Sequence, residues 1–282
     1  MVYLKLLRVK HYLKNLLIFF PLLFSLNLFE PIKLLATVMG FISFSLLTSV
    51  VYIFNDIKDM EEDRNHLSKR NRPLASGAVS ISKAVAIASF IGIFAVASLV
   101  LLWTVKGNWG IFLFFFLYLA NNALYTCLLK QLPILDVGSI AVGFLLRVMF
   151  GASIISVSVS PFLYLTILMG ALYFGFGKRL GEYRQAYKRQ VLKRYEQGFL
   201  EKIMTLCLGL TVMFYCLWTL HLGDGYAILK ATVPIILLLF MRYQLLIERG
   251  GDGDPIEAVW RDKWLMGSSM GYGALLVFLL YG

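Results

Sequence analysis

Runs of about twenty apolar residues recur from one end of this 282-residue chain to the other. As an α-helix, each is long enough to cross a hydrocarbon layer about 30 Å thick. Lipid offers no partners to the backbone, and a helix satisfies its own hydrogen bonds within one segment. These runs therefore dictate an all-α fold: a polytopic bundle of transmembrane helices. No long polar stretch remains for a soluble domain, so residues 1–282 read as a single transmembrane domain. A mean hydropathy of +0.75 agrees with that class.

The breaks between runs predict nine spans, near 15–30, 34–56, 80–103, 109–129, 134–155, 160–177, 202–222, 227–247 and 263–281. Pro31, "KGNWG", "KQLP", "SVSVSP", "LGDG" and "ERGGDGDP" supply the Gly, Pro or charge that separates them. The N-terminal stretch has the basic-then-apolar outline of a signal peptide, but "SLNLFEP" lacks the small residues of a cleavage site. It reads as a retained first span behind a short basic surface segment. With the N-terminus in the cytoplasm, 23 of the 27 Lys and Arg fall on the inner side. Only Lys33, Lys106 and Lys230 fall outside, and Arg147 lies within a span. Positive charge gathers on the cytoplasmic side of membrane proteins, so the asymmetry sets the orientation in a plasma (inner) membrane.

The net charge of +11 is explained by that orientation and by anionic lipid, and points to no nucleic-acid partner. Cys127, Cys207 and Cys216 lie in apolar runs without metal-ligand spacing and read as small buried hydrophobes. The three histidines are scattered, which argues against a zinc site.

Against this background "NDIKDMEEDRNHLSKRNRPLASG", residues 55–77, is anomalous, with five acids and five bases in 23 residues. If the preceding helix continues, Asp56, Asp59 and Asp63 fall at i, i+3 and i+7 on one face. Converging carboxylates need a cation among them, and hard oxygens that leave room for water and phosphate suit Mg²⁺. Asn55 adds an amide able to bind phosphate or orient a carboxylate. Lys69, Arg70 and Arg72 follow, and such side chains hold phosphate oxygens. Acids for a metal beside bases for phosphate describe a diphosphate site.

A second charged stretch, "GKRLGEYRQAYKRQVLKRYEQ", follows the sixth span and is mostly basic. Lys178, Arg179, Glu182 and Arg184 lie nearest the membrane and are its candidate site residues; Lys188 to Lys202 read as facing solvent or lipid. Lys178 and Glu182 share a helix face, so Glu182 is placed either on a substrate hydroxyl or ordering Lys178. In the fifth span Asp136 and Arg147 lie on nearly one face, about 16 Å apart along the axis. An arginine within a span is costly and is read first as functional, with a buried structural pairing as the alternative. Asp136 either joins the site or caps its helix.

The stretch at 55–77 resembles the first aspartate-rich motif of UbiA-type intramembrane prenyltransferases, NDxxDxxxD followed by RPxxSG. "YTCLLKQLPILDVGSIAVGFLLR" is similar to a Tyr-x-x-x-x-Lys stretch of the same family, which implies that Tyr125 and Lys130 line the site. Family members using a prenyl diphosphate carry a second acidic motif, DxxxD, where this chain has the basic "KRLGEYR". That departure, together with "RVKHYLKNLLIFFPL", is similar to the branch that transfers phosphoribose to polyprenyl phosphates.

The resemblance implies Mg²⁺ as cofactor, held by Asp56, Asp59 and Asp63, with phosphoribosyl diphosphate as donor and a polyprenyl phosphate in the bilayer as acceptor. Asp56, Asp59, Lys178 and Arg179 are the expected catalytic residues. Asn55, Lys69, Arg70, Arg72, Tyr125, Lys130, Asp136, Arg147, Glu182 and Arg184 are the expected substrate contacts. Two other readings are kept beside this one: a prenyltransferase acting on an aromatic or other small acceptor, and a transporter. Transporters set their polar groups near the membrane midplane, whereas here they crowd one surface.

Overall fold

The computed structural model describes residues 2–65, 69–185 and 189–282, and among these no strand occurs. Among the described residues eight helices are long and apolar enough to cross a membrane. In chain order they are α1 (Pro31–Lys58), α2 (Ile81–Lys106), α3 (Gly110–Cys127) and α4 (Leu135–Ile155). They continue with α5 (Pro161–Arg184), α6 (Gln197–His221), α7 (Ile228–Glu248) and α8 (Lys263–Tyr281). The protein is a multi-pass, all-α membrane protein.

Local chemistry sets the helix ends. Ser80 and Ser160 accept hydrogen bonds from the backbone N–H groups of Lys83 and Leu163 and so cap α2 and α5. Gly107 ends α2 in the left-handed region (φ 67°), where a Cβ is unfavourable. The expected first span is built differently: a 3-10 helix at Val9–Phe19 runs into a short α-helix at Phe20–Phe24. Pro21 stands in the first turn of that helix, where its missing N–H costs nothing, so the winding changes there. Elsewhere expectation fell short at the polar ends: α5 runs on to Arg184 through the charged residues, and α6 starts at Gln197.

The chain forms two compact units, Met1–Thr126 with Leu146–Val157, and Cys127–Leu145 with Ser158–Gly282. In the first, α1 presents small and hydroxyl side chains, including Ala36, Gly40, Ser43 and Ser49, as its buried side. Between helices in lipid, where tails are as apolar as leucine, close approach and hydrogen bonds hold the pair. Ser43 meets Ser98 of α2 at 2.7 Å. The N-terminal 3-10 helix buries Ile18, and the short α-helix after it buries Leu22, in the same core. Its backbone at Ile18 lies so close to Gly151 that a Cβ there would collide with it. Phe44, Phe115, Tyr118 and Phe150 form the aromatic centre of this unit.

In the second unit α5 packs along α6 around Tyr173, Phe176, Leu180, Leu200 and Met204. Gly175 lets Val137 of α4 approach, and the Tyr173 hydroxyl donates to the Phe240 carbonyl at 2.7 Å. Cys207 is buried as expected, but Cys127 is exposed at the end of α3.

Candidate functional site

Polar side chains gather at the end of α1 in the first unit and at the end of α5 in the second. In the first, helical hydrogen bonding runs past α1: the Asp59 N–H donates to Asn55 and the Asp63 N–H donates to Asp59, both at 2.9 Å. Asp59 caps α1 and opens the short helix Met60–Arg64. The continuation expected from the spacing is therefore present. Asp56 and Asp63 are each only 3% exposed, and Asp59 is half-buried.

Arg72 joins the two buried carboxylates, its Nη1 lying 3.1 Å from Asp56 Oδ1 and 2.5 Å from Asp63 Oδ2. Arg8 makes a second ion pair to Asp56 Oδ1 and lies over the Tyr52 ring, 4.9 Å from its centroid. Asn55 turns elsewhere: its Oδ1 accepts from the Thr126 hydroxyl at 2.8 Å, one residue beyond Tyr125 at the end of α3. Lys58 donates to the Thr126 carbonyl at 3.1 Å. Arg70 is exposed; Lys69 lies in the same 3-10 turn, and its side chain falls outside the described residues.

Among the described residues, no three His, Cys, Asp or Glu side chains stand together as a ready metal cluster. The structure pairs Asp56 with Asp63 rather than assembling the expected trio. Yet both converge on a single nitrogen of Arg72, and two hard oxygens around one positive charge suit a divalent cation. The donor chemistry fits; water and phosphate oxygens would complete the coordination.

Arg147, also in the first unit, is buried. Its Nε donates to Asn15 Oδ1 at 2.8 Å and its Nη2 to the Tyr118 hydroxyl at 2.9 Å. The guanidinium lies 4.7 Å from the Tyr118 ring centre and 5.6 Å from that of Phe44. The Asn15 amide donates onward to Ser45 at 3.0 Å and Thr48 at 3.3 Å. An arginine on α4 thus ties the N-terminal 3-10 helix to α1 and α3.

In the second unit Asp136 is fully buried and Arg179 is 1% exposed. Arg179 donates from Nε to Asp136 Oδ2 at 2.7 Å and from Nη1 to Glu182 Oε2 at 2.5 Å. Arg189 approaches Glu182 Oε1 at 3.5 Å. The Tyr195 hydroxyl donates to Asp136 Oδ1 at 2.7 Å and accepts from the Ile134 N–H at 2.5 Å. Burial pushes the Tyr195 phenol above its usual range, so the proton that binds Asp136 is retained.

The structure gives many of the expected site residues partners within the protein. Asp136 does not cap its helix and is engaged by Arg179 and Tyr195. Arg179, expected to hold phosphate, has two of its nitrogens on carboxylates. Lys178 is ordered by Asp254, at 2.8 Å, and not by Glu182. Arg184 pairs with Glu201 at 2.7 Å. Lys130 lies in the 3-10 turn Leu129–Gln131. In the segment from Lys188 to Lys202, Lys193, Arg194 and Lys202 are exposed as expected, while Val191, Leu192 and Tyr195 beside them are buried and Lys188 lies outside the described residues.

Asp254 does not stand out in the sequence, because "GGDGDP" reads as a plain loop. The signal lay in the glycines. Gly181 on α5 lets the backbone of Asp252 and Gly253 lie directly on the helix, and Gly253 in turn has no Cβ to collide with the Gly177 carbonyl. A Cβ on Gly181 would sit 2.6 Å from the Asp252 carbonyl oxygen and the Gly253 nitrogen. The Tyr243 hydroxyl locks the loop by donating to the Gly253 carbonyl at 2.7 Å. Gly181→Ala is expected to lift this loop and cost about 1–3 kcal/mol, read as a lowered thermal midpoint in detergent.

A family model, the UbiA prenyltransferase family, matches residues 16–259. The chain is 30% identical to the decaprenyl-phosphate phosphoribosyltransferase of Mycobacterium tuberculosis, covering 93% of this chain and 88% of that one. It is 31% identical to the enzyme of the same name from Mycolicibacterium smegmatis, over 80% of this chain and 74% of that one. Among solved structures, a UbiA homolog from Archaeoglobus fulgidus bound to GPP and Mg²⁺ superposes with a TM-score of 0.75. The likeness covers 100% of this chain and 98% of that one at 20% identity, and it shows a shared fold. With its aspartate-rich helix end, its membrane-spanning bundle and these matches, the chain is a membrane-embedded transferase that belongs to the UbiA prenyltransferase family.

Proposed function

We propose that this protein transfers 5-phosphoribose from phosphoribosyl diphosphate to a polyprenyl phosphate, with Mg²⁺ as cofactor, and releases diphosphate. One observation carries the choice of donor: at "KRLGEYR" Arg179 occupies the carboxylates of both Asp136 and Glu182. Where prenyl-diphosphate users of the family keep a second acidic set for metal, this chain has built a cation into the protein. Relatives named decaprenyl-phosphate phosphoribosyltransferase, matching between 80% and 98% of this chain, support the same choice.

Asp56 and Asp63, with Asp59 beside them, would hold Mg²⁺ against the donor. Bound there, it would supply positive charge against the departing diphosphate. Arg70 and Arg72 bind phosphate oxygens, and Asn55 fixes the end of α1 through Thr126. An oxygen of the prenyl phosphate forms the new bond to ribose C1 as the C1–O bond to diphosphate breaks, with inversion for an in-line displacement. The electron pair leaves with diphosphate. A phosphate monoester is largely dianionic near pH 7, its second pKa being about 6, so the nucleophile needs no base to remove a proton.

The orientation proposed with this reading puts the N-terminus and the aspartate-rich helix end in the cytoplasm, on the count of Lys and Arg. The N-terminal 3-10 helix and its short extension supply a ninth crossing. Their 11 and 5 residues, at about 2.0 and 1.5 Å each, span about 30 Å.

The test uses membranes containing the protein, given labelled phosphoribosyl diphosphate with a polyprenyl phosphate, and separately a prenyl diphosphate with aromatic acids. The expected product is a labelled lipid from the first pair, lost on chelation with EDTA. Product from the second pair alone would overturn the reading and leave a conventional prenyltransferase.

A further inference from the structure

Arg8, the first residue of "RVKHYLKNLLIFFPL", lies outside the two charged stretches that supply the expected site residues, yet it reaches the acidic helix end. Its backbone is left-handed (φ 51°, ψ 44°), a conformation that residues other than glycine seldom adopt. Such a residue persists where its surroundings over-determine it. Leu6 is fully buried with Ile53 and Leu74 on one side of it. On the other, Ser49 of α1 donates to the Leu7 carbonyl at 2.8 Å and meets the Tyr12 hydroxyl at 2.6 Å. The chain is pinned before and after Arg8, and the strained turn delivers its guanidinium to Asp56 Oδ1.

That oxygen also accepts from Arg72 Nη1. Two guanidinium groups therefore share one carboxylate oxygen, and a divalent cation arriving there meets positive charge already in place. Arg72 bridges two carboxylates, whereas Arg8 holds one and rests on the Tyr52 ring, against which it can turn without losing its stacking. An arginine released from Asp56 keeps a planar fork that matches phosphate oxygens.

We propose that Arg8 is a donor-binding residue that competes with the divalent cation for Asp56 and passes to a phosphate oxygen of the diphosphate as that cation binds. The inference rests on the metal-diphosphate reading given above. It makes cation and diphosphate bind as a pair, each weak alone, because either one without the other leaves charge unbalanced around Asp56.

The experiment is Mn²⁺ binding to the full-length protein in detergent, followed by electron paramagnetic resonance, with and without inorganic diphosphate. Arg8→Gln removes the competitor, so Mn²⁺ alone should bind several-fold more tightly. With diphosphate present the same variant should bind about tenfold more weakly, the worth of one charge-assisted hydrogen bond. Arg8→Lys keeps the charge without the fork, so it should stay near wild type for Mn²⁺ alone and lose affinity with diphosphate. It also serves as the second variant if Arg8→Gln fails to fold. Affinities that are unchanged, or that fall together in both conditions, would overturn the role assigned to Arg8. Should wild type and Asp56→Asn bind Mn²⁺ equally, with and without diphosphate, the underlying metal assignment fails, and the inference falls with it.

Discussion

Asp56→Asn is expected to lower transfer by about 10²–10³-fold or more in protein that still folds. The amide has the shape of the carboxylate, and its oxygen can still accept from Arg8 and Arg72. What it lacks is the negative charge that attracts a divalent cation. The loss should therefore fall on turnover, measured with labelled donor in membranes, and not on the thermal midpoint. Retention of more than about a tenth of wild-type turnover would remove Asp56 from the metal face. Alanine is the poorer probe, since it also leaves two guanidinium groups facing a void.

The largest effect on stability is expected in the second unit. Arg179→Ala would leave Asp136, fully buried, with its charge opposed by no guanidinium, and Glu182 with Arg189 at 3.5 Å. Breaking a buried ion pair by removing one partner typically costs about 3–5 kcal/mol. Asp136→Ala should also destabilise, though less, because Arg179 keeps Glu182 while losing one of its two carboxylates, and the Tyr195 hydroxyl loses its acceptor. Removing both together should cost much less than the sum of the two, the signature of a direct pair. Chemical denaturation of the purified variants reads this. Additive losses would show that the two side chains are independent and return Arg179 to the phosphate-binding candidates.

The architecture was largely legible in the residues, because apolar run length is a direct measure of whether a helix can cross lipid. The pairing of Asp56 with Asp63 was legible too, since helical spacing puts positions 56 and 63 on one side of the helix, where Arg72 joins them. The partners of those acids were not. Arg8 lies 48 positions before Asp56 in the chain, and only the fold of the N-terminal segment joins them. For the same reason Asp136 and Arg147, on nearly one face of a single helix, find different companions: Arg179 and Tyr195 for one, Asn15 and Tyr118 for the other. Basic residues at "KRLGEYR" could be counted in the sequence. Which of them keeps its charge available is a matter of burial, and α5 turns Arg179 inward while leaving Lys178 half-exposed.

The loop seated on Gly177 and Gly181 has a practical consequence for work on this protein. Hydrophilic connections between membrane helices are the usual places to insert epitope tags, protease sites or fluorescent reporters. Residues 250–254 have that composition, yet the backbone of Asp252 and Gly253 lies so close to α5 that a Cβ on Gly181 or Gly253 would collide. Labels placed there would report a damaged enzyme, and reporters of topology belong elsewhere in the chain.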